Sequence, residues 1–131
     1  MPPFPWHQGG RSYHNLLVQG NNIQDLIEQG DLNICFDVSH TSMACNFHSE
    51  DFYKIIRSLN NKIKHIHLSD ARGNSEEGLE VGDGSIDFKE FHKSIMQDGN
   101  RKFLLPEIWQ GHLNYGLKFA TSLIRYSDII N

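Results

Sequence analysis

The segment Ile63-Lys64-His65-Ile66-His67-Leu68-Ser69-Asp70 has apolar and polar side chains in near alternation and ends in two short polar residues. Alternation with a period of two predicts a β-strand over 63–68. Ser69 and Asp70 predict a turn after it, because short polar side chains bond to nearby backbone groups. The same period divides the strand into two faces, with Ile63, His65 and His67 on one and Lys64, Ile66 and Leu68 on the other.

Two further strands and four helices are predicted on either side of this segment. The strands are Leu32–Asp37 and Lys102–Ile108; the helices are Asn22–Gln29, Glu50–Leu59, one opening at Asp87, and Leu113–Tyr126, with Leu117, Ala120, Leu123 and Ile124 facing inward. Irregular loops are predicted over residues 1–20 and 71–85, because these segments are rich in Pro, Gly and polar side chains. A helix followed by three βα units implies parallel strands with right-handed crossovers, so the predicted fold class is α/β.

Size and charge restrict the classes of function that the chain can have. The 131 residues suit one domain, and 12 basic against 16 acidic residues give a net charge of −4. This balance argues against a nucleic-acid-binding arm or an anionic-membrane patch as the main feature. The 2 cysteines cannot form a disulfide framework. No apolar run is long enough to span a membrane and no secretory signal is evident, so we expect a cytoplasmic protein.

An ionisable residue lies at the carboxyl end of each predicted strand: Asp37, His67 and Glu107. Parallel strands bring these ends to one rim, where α/β proteins place their active sites. Two carboxylates and an imidazole are suitable ligands for a divalent ion such as Mn²⁺, Mg²⁺, Co²⁺ or Zn²⁺. We therefore predict a shared metal site at this rim.

Each of these residues also has a purely structural interpretation. Asp37 is suited to capping the turn after its strand. His65 and His67 are compatible with hydrogen-bonded core or surface histidines, and Glu107 with a solvated strand end. The coincidence of three strand ends is what favours the shared site.

Four segments carry a family resemblance: Asp37–His40, His65–Asp70, Gly82–Phe88 and Pro106–Ile108. In this order and spacing they resemble the C-terminal half of a xylose isomerase-like TIM barrel. That superfamily includes sugar and sugar-phosphate isomerases and epimerases and the endonuclease IV type of AP endonuclease. The resemblance implies one partial (β/α)8 domain over 1–131. In this domain, residues 1–20 would form the loop that follows a family strand with no counterpart in this sequence. Residues 21–131 would form a helix followed by three βα units.

The resemblance also implies a role for each matching residue. Asp37, His67 and Glu107 would bind one divalent metal ion, and Glu107 would also act as a catalytic acid or base. His40 would contact the substrate or a second metal. Arg72 would hold a substrate oxygen or phosphate through charge-assisted hydrogen bonds.

Two aromatic segments are further candidates for the substrate-binding rim. Trp6 lies in a Pro-rich segment that is suited either to an aromatic wall over the rim or to packing on the core. Trp109 and His112 closely follow Glu107, in a loop that would lie on the same rim. We expect all three side chains to contact substrate, with packing of the loops as the alternative.

The implied activity is that of a metal-dependent sugar or sugar-phosphate isomerase or epimerase, which transfers a proton through an enediolate. The family's other metal-binding glutamate lies on a strand that has no counterpart in this sequence. The Asp-x-His pair of the endonuclease branch is replaced by 75–80, which contain no His. An endonuclease IV-like phosphodiesterase and a non-catalytic remnant or partner module remain as alternatives.

The expected partner is a small carbohydrate or sugar phosphate, with neither nucleic acid nor membrane. Three parallel strands cannot close a barrel, so they leave two open edges and an apolar inner face that contains Leu105 and Ile63. We therefore expect the chain to need the remaining half-barrel or to self-associate.

Overall fold

The computed structural model describes residues 6–8, 11–13 and 20–131. The strands and helices are, in chain order, β1 Trp6–Gln8, β2 Arg11–Tyr13, α1 Gly20–Gly30, β3 Ile34–Asp37, α2 Val38–His48, α3 Phe52–Leu59, β4 Ile63–Leu68, β5 Asp70–Arg72, β6 Glu76–Leu79, α4 Phe88–Ile95, β7 Phe103–Pro106 and α5 Leu117–Ile130. Short 3-10 turns precede β4 and α5. Within these ranges, no helix combines the length and the apolar character that crossing a lipid bilayer requires.

A three-stranded parallel sheet, in the order β3-β4-β7, forms the centre of the fold. Helices cover one of its faces, and the hydrophobic core lies between that face and the helices. The largest contributors to this core are aromatic and branched aliphatic side chains from both layers, among them Phe36, Ile56, Leu68, Phe88 and Phe91. The predicted α/β class with parallel strands is confirmed.

Aspartates begin three of the helices. Asp37 caps α2, Asp51 caps α3 by accepting from the backbone N–H of Lys54, and Asp87 caps α4 by accepting from two backbone N–H groups. A side-chain oxygen at this position satisfies amide donors that have no partner inside the helix. The prediction that Asp87 opens a helix is confirmed.

The structure contains elements that the sequence pattern did not predict. Helix α2 directly follows β3, and residues 71–85 include the short antiparallel hairpin of β5 and β6 instead of a continuous loop. Within 1–20, predicted as loop, β1 and β2 pair in antiparallel register. The helix α2 buries small and apolar residues, listed here, that show no single apolar stripe: Val38, Ser39, Ser42, Met43, Ala44 and Cys45.

Ile63 does not share the face of His65 and His67, as the simple alternation predicted. Its side chain is fully buried in the core on the helix-covered side of the sheet. The pairing of β3 with β4 shifts by one residue at this point, so that Ile34 pairs with Ile63 and Cys35 with His65. A bulge of this kind breaks the alternation of side chains, and it is the physical reason for the difference.

The prediction for the inward face of the last helix is also wrong. In α5 the buried residues are Ser122 and Tyr126, whereas Leu117 and Ile124 are 60% and 61% exposed. Leu123 and Ala120 are exposed as well. The helix begins at Leu117 rather than at Leu113, and its Tyr126 side packs against Phe88 and Phe91 of α4.

Candidate metal centre and cleft

The structure brings the three strand-end residues together. Asp37 ends β3, His67 is the penultimate residue of β4, and Glu107 directly follows β7. Asp37 and His67 are partners in the parallel register. One ligand atom from each of Asp37, His67 and Glu107 lies within 4.8 Å of the others.

Backbone pairing places Glu107 beside His67. The N–H of Glu107 donates to the carbonyl of Leu68 at 2.9 Å, which continues the pairing of β7 with β4 past Pro106. The Glu107 carboxylate then reaches Nδ1 of His67 at 2.6 Å through Oε2. Proline has no N–H to donate, but the donor in this contact is the N–H of Glu107, so Pro106 does not interrupt it.

Asp37 serves as a helix cap and also holds His40. Its Oδ1 accepts from the backbone N–H of His40 at 3.0 Å and from the Ser39 hydroxyl at 3.3 Å. Its Oδ2 lies 2.7 Å from His40 Nδ1. Burial opposes ionisation of Asp37, but the hydrogen bonds and charge of His40 outweigh it and lower the pKa of the carboxyl. Conversely, the hydrogen bond and charge of Asp37 raise the pKa of His40 despite partial burial of the ring.

Glu77 is a member of this cluster that the sequence reasoning missed. His40 Nε2 lies 2.8 Å from Glu77 Oε2, so the imidazole bridges two carboxylates. Glu77 lies in β6, within a polar stretch that was predicted as loop. Only the hairpin fold brings it to His40, 37 residues away along the chain, and no local signal in the sequence indicates this contact.

A cleft of about 400 Å³ adjoins the cluster. Its lining includes Asp37, His40, Glu77, Glu107, Trp109 and His112, together with Ser39, Ser69, Gly78, Ile108 and Gln110. The indole of Trp109 is 67% exposed. Trp109 and His112 are therefore placed where the sequence predicted them, on the same rim as the strand-end residues.

The Trp109 loop is anchored to the hairpin through Gly78. The backbone N–H of Trp109 donates to the carbonyl of Gly78 at 2.7 Å. Gly78 has a φ of +64°, and a Cβ at this position would lie 3.1 Å from the Trp109 nitrogen. Glycine suits this position because the backbone conformation is left-handed and the approach is close.

Arg72 and Trp6 are not placed at the cleft by the described residues. The Arg72 guanidinium contacts Glu76 Oε2 at 3.1 Å and also donates to the carbonyl of Asp83. It is not among the residues that line the cleft. The side chain of Trp6 lies outside the described part of the chain. The substrate roles of both residues stay predictions.

The donor set fits a divalent ion. Two carboxylates and an imidazole converge, and the cleft gives access from solvent. Oxygen and nitrogen donors of this kind bind Mg²⁺, Mn²⁺, Co²⁺ and Zn²⁺. The contact of His67 with Glu107 at 2.6 Å shows that these side chains can approach one another closely.

The comparisons with known proteins agree with the observed fold. A family profile described as the xylose isomerase-like TIM barrel matches residues 1–124. The chain belongs to this family. The predicted membership is confirmed. The crystal structure of a D-tagatose 3-epimerase-like protein shares the fold of this family member, with a TM-score of 0.69 at 20% identity.

Curated relatives of this family member occur in Methanocaldococcus jannaschii. The uncharacterized protein MJ1614 is 34% identical over 83 residues, which are 63% of this chain and 31% of that protein. The uncharacterized protein MJ1311 is 27% identical over 105 residues, which are 80% of this chain and 34% of that protein. The structural match covers 98% of this chain and 46% of the other. The matches thus span about a third of the length of the two curated relatives and somewhat less than half of the solved structure.

Proposed function

We propose that this chain carries part of the active site of a metal-dependent sugar or sugar-phosphate isomerase or epimerase. The observation that carries the proposal is the convergence of Asp37, His67 and Glu107 within 4.8 Å. Asp37 and Glu107 also line a cleft of about 400 Å³. Family membership supports the same reaction class. The role proposed for each residue comes from the resemblance of the four sequence segments to the family.

Asp37, His67 and Glu107 would hold the divalent ion, which supplies positive charge that stabilises the developing oxyanions of an enediolate. Glu107 would move the proton between carbon and solvent or between two carbons, because its side chain is more exposed than that of Asp37, the other carboxylate ligand. Asp37 would hold His40 through Nδ1, and His40 would donate to a substrate oxygen from Nε2 when that oxygen takes the place of Glu77. Trp109 and His112 would line the sugar.

A phosphodiesterase function has less support. Among the described residues that line the cleft, three are acidic, and none is lysine or arginine. Such a lining repels the many charges of a phosphodiester backbone, and by the same argument it favours an uncharged sugar over a sugar phosphate. The net charge of −4 acts in the same direction.

Thermal unfolding with added Mn²⁺ tests the metal site. We expect Mn²⁺ to raise the midpoint of the wild-type chain, because a ligand that binds only the folded state stabilises it. Asp37→Asn and Glu107→Gln should lose this increase, whereas the matched exposed variant Glu28→Gln should keep it. An increase that survives in both site variants would place the ion elsewhere.

Solvent exchange tests the chemistry without knowledge of the product. In D₂O with Mn²⁺ and a panel of aldoses, ketoses and sugar phosphates, we expect deuterium to enter the carbon beside the carbonyl, detected by NMR. Glu107→Gln should abolish this incorporation. Mn²⁺ binding without exchange on any member of the panel would favour the non-catalytic alternative.

A further inference from the structure

Among the described residues, the sheet face opposite the helices has no covering layer, and it carries a second group of metal-ligating side chains. Cys35 on β3 is the register partner of His65 on β4, and His67 lies two residues further along the same strand. One ligand atom from each of these three residues lies within 4.8 Å of the others. The rings of His65 and His67 meet edge to face, with centroids 5.1 Å apart.

The surroundings of this group differ from those of the carboxylate cluster. Phe103 and Leu105 of β7 are the register partners of His65 and His67 and flank them with apolar surface. Cys35 is exposed, so its sulfur is open to an incoming ion. Cys35, His65 and His67 offer sulfur and nitrogen ligands, whereas Asp37, His67 and Glu107 offer mainly carboxylate oxygen.

We propose that Cys35, His65 and His67 form a second cation site, for a thiophilic divalent ion such as Zn²⁺. Cysteine sulfur and imidazole nitrogen prefer Zn²⁺ and Co²⁺, whereas carboxylate oxygen suits Mg²⁺ and Mn²⁺. Three protein ligands leave the fourth position of a tetrahedral zinc site open to water or to another donor. Binding replaces the thiol proton of Cys35, which is released to solvent.

The two sites are neighbours that share His67. The Cys35–His65 pair lies two residues from the Asp37–His67 pair along the parallel strands, a separation of about 7 Å. Neither Asp37 nor Glu107 is needed at the second site, so it does not rest on the proposed enzymatic function. Different metal preferences also let experiments report on the two sites separately.

Titration with Co²⁺ tests the proposal, because cobalt bound to a thiolate shows a charge-transfer band in the near ultraviolet that oxygen and nitrogen ligands do not produce. We expect the band in the wild-type chain and its loss in Cys35→Ser. Cys45→Ser is the matched control and should keep the band, because Cys45 is buried in α2 and burial raises the pKa of its thiol to about 12. Absence of the band in the wild type, or its survival in Cys35→Ser, would overturn the proposal.

Two further measurements test the same site without relying on Cys35→Ser, in case that variant folds poorly. In the wild-type chain, Zn²⁺ should slow the alkylation of Cys35 by iodoacetamide, followed by mass spectrometry of the Cys35 peptide; an unchanged rate refutes the site. The cobalt band should also persist in Glu107→Gln, even where that variant has lost the Mn²⁺ effect. Its loss there would mean that the ion belongs to the carboxylate cluster, and the separate site would be wrong.

Discussion

Asp70 is a buried carboxylate that organises the chain between β6 and α4. It is 1% exposed and accepts from the backbone N–H groups of Ala71, Gly82, Gly84 and Ile86 at 2.8–3.2 Å. A Cβ at Gly84 would collide with the Asp70 carboxylate and with the carbonyl of Ala71. The Gly82–Gly84 turn is therefore built around this acceptor, which lies two residues after the end of the strand that carries His67.

Asp70→Asn should destabilise the chain by on the order of 3 kcal/mol, because the amide keeps one acceptor oxygen and presents an NH₂ group to backbone donors. The free energy of unfolding from urea titration measures the loss. Asp128→Asn, on the exposed surface of α5, is the matched control and should change it by less than about 0.5 kcal/mol. Equal stability of the two variants would contradict the structural role of Asp70.

Asp98 links pH to stability. Burial opposes its ionisation, but Lys102 and Asn100 donate to the carboxylate and lower its pKa to about 2. The folded-state pKa is below the reference value of 3.8, so the stabilisation is present above that value and is lost as the pH falls towards 2.

The expected result is a difference in unfolding free energy between wild type and Asp98→Asn that is largest near neutral pH. Urea titrations from neutral pH down to about pH 2 should show this difference shrinking through the interval between the two pKa values. A difference that stays constant over the whole range would show that Asp98 does not contribute through its charge.

At the scale of elements, α4 and α5 are joined by aromatic and polar contacts. The hydroxyl of Tyr126 lies 2.9 Å from Nδ1 of His92, and its ring meets Phe88 and Phe91. Burial raises the pKa of Tyr126 to about 12, which keeps the hydroxyl protonated. These contacts make the Tyr126 side of α5 the inward side.

Tyr126→Ala should cost about 3–5 kcal/mol in unfolding free energy, because it removes a buried aromatic ring and leaves a cavity. Ile124→Ala, two residues away on the exposed side of the same helix, should cost less than about 1 kcal/mol. Chemical denaturation of the two variants under identical conditions compares them. A larger loss for Ile124→Ala would favour the face that the sequence pattern predicted.

At the scale of the molecule, one face of the sheet lacks a covering layer among the described residues. Phe103 is 79% exposed and Leu105 is 49% exposed on this face. Strands β3 and β7 each pair with one neighbour in the described sheet. Exposed apolar surface next to unpaired strand edges favours association with another polypeptide.

We expect the isolated chain to self-associate or to unfold at low denaturant concentration. Light scattering over a range of protein concentrations measures the first outcome, and urea titration the second. Phe103→Lys should reduce association, whereas Tyr115→Asn, at a fully exposed position elsewhere on the surface, should not. A wild-type monomer that unfolds cooperatively and with ordinary stability would contradict this expectation.

Local patterns in the sequence were sufficient for several elements. The strand over 63–68 was predicted with the bounds that the structure shows, and the start of the helix at Asp87 was predicted correctly. The parallel order of strands then placed Asp37, His67 and Glu107 on one rim, because carboxyl ends of parallel strands share an edge. These features depend on residues that are neighbours along the chain and on general rules for how strands and helices connect. Both can be applied to a sequence alone.

Other features were decided only by contacts between distant segments. The inward side of α5 depends on which of its two faces meets the aromatic residues of α4. The burial of Ile63 depends on a bulge in strand pairing, and the contact of Glu77 with His40 depends on the folding of a polar hairpin. In each case the local sequence is compatible with more than one arrangement, so packing partners far along the chain select between them.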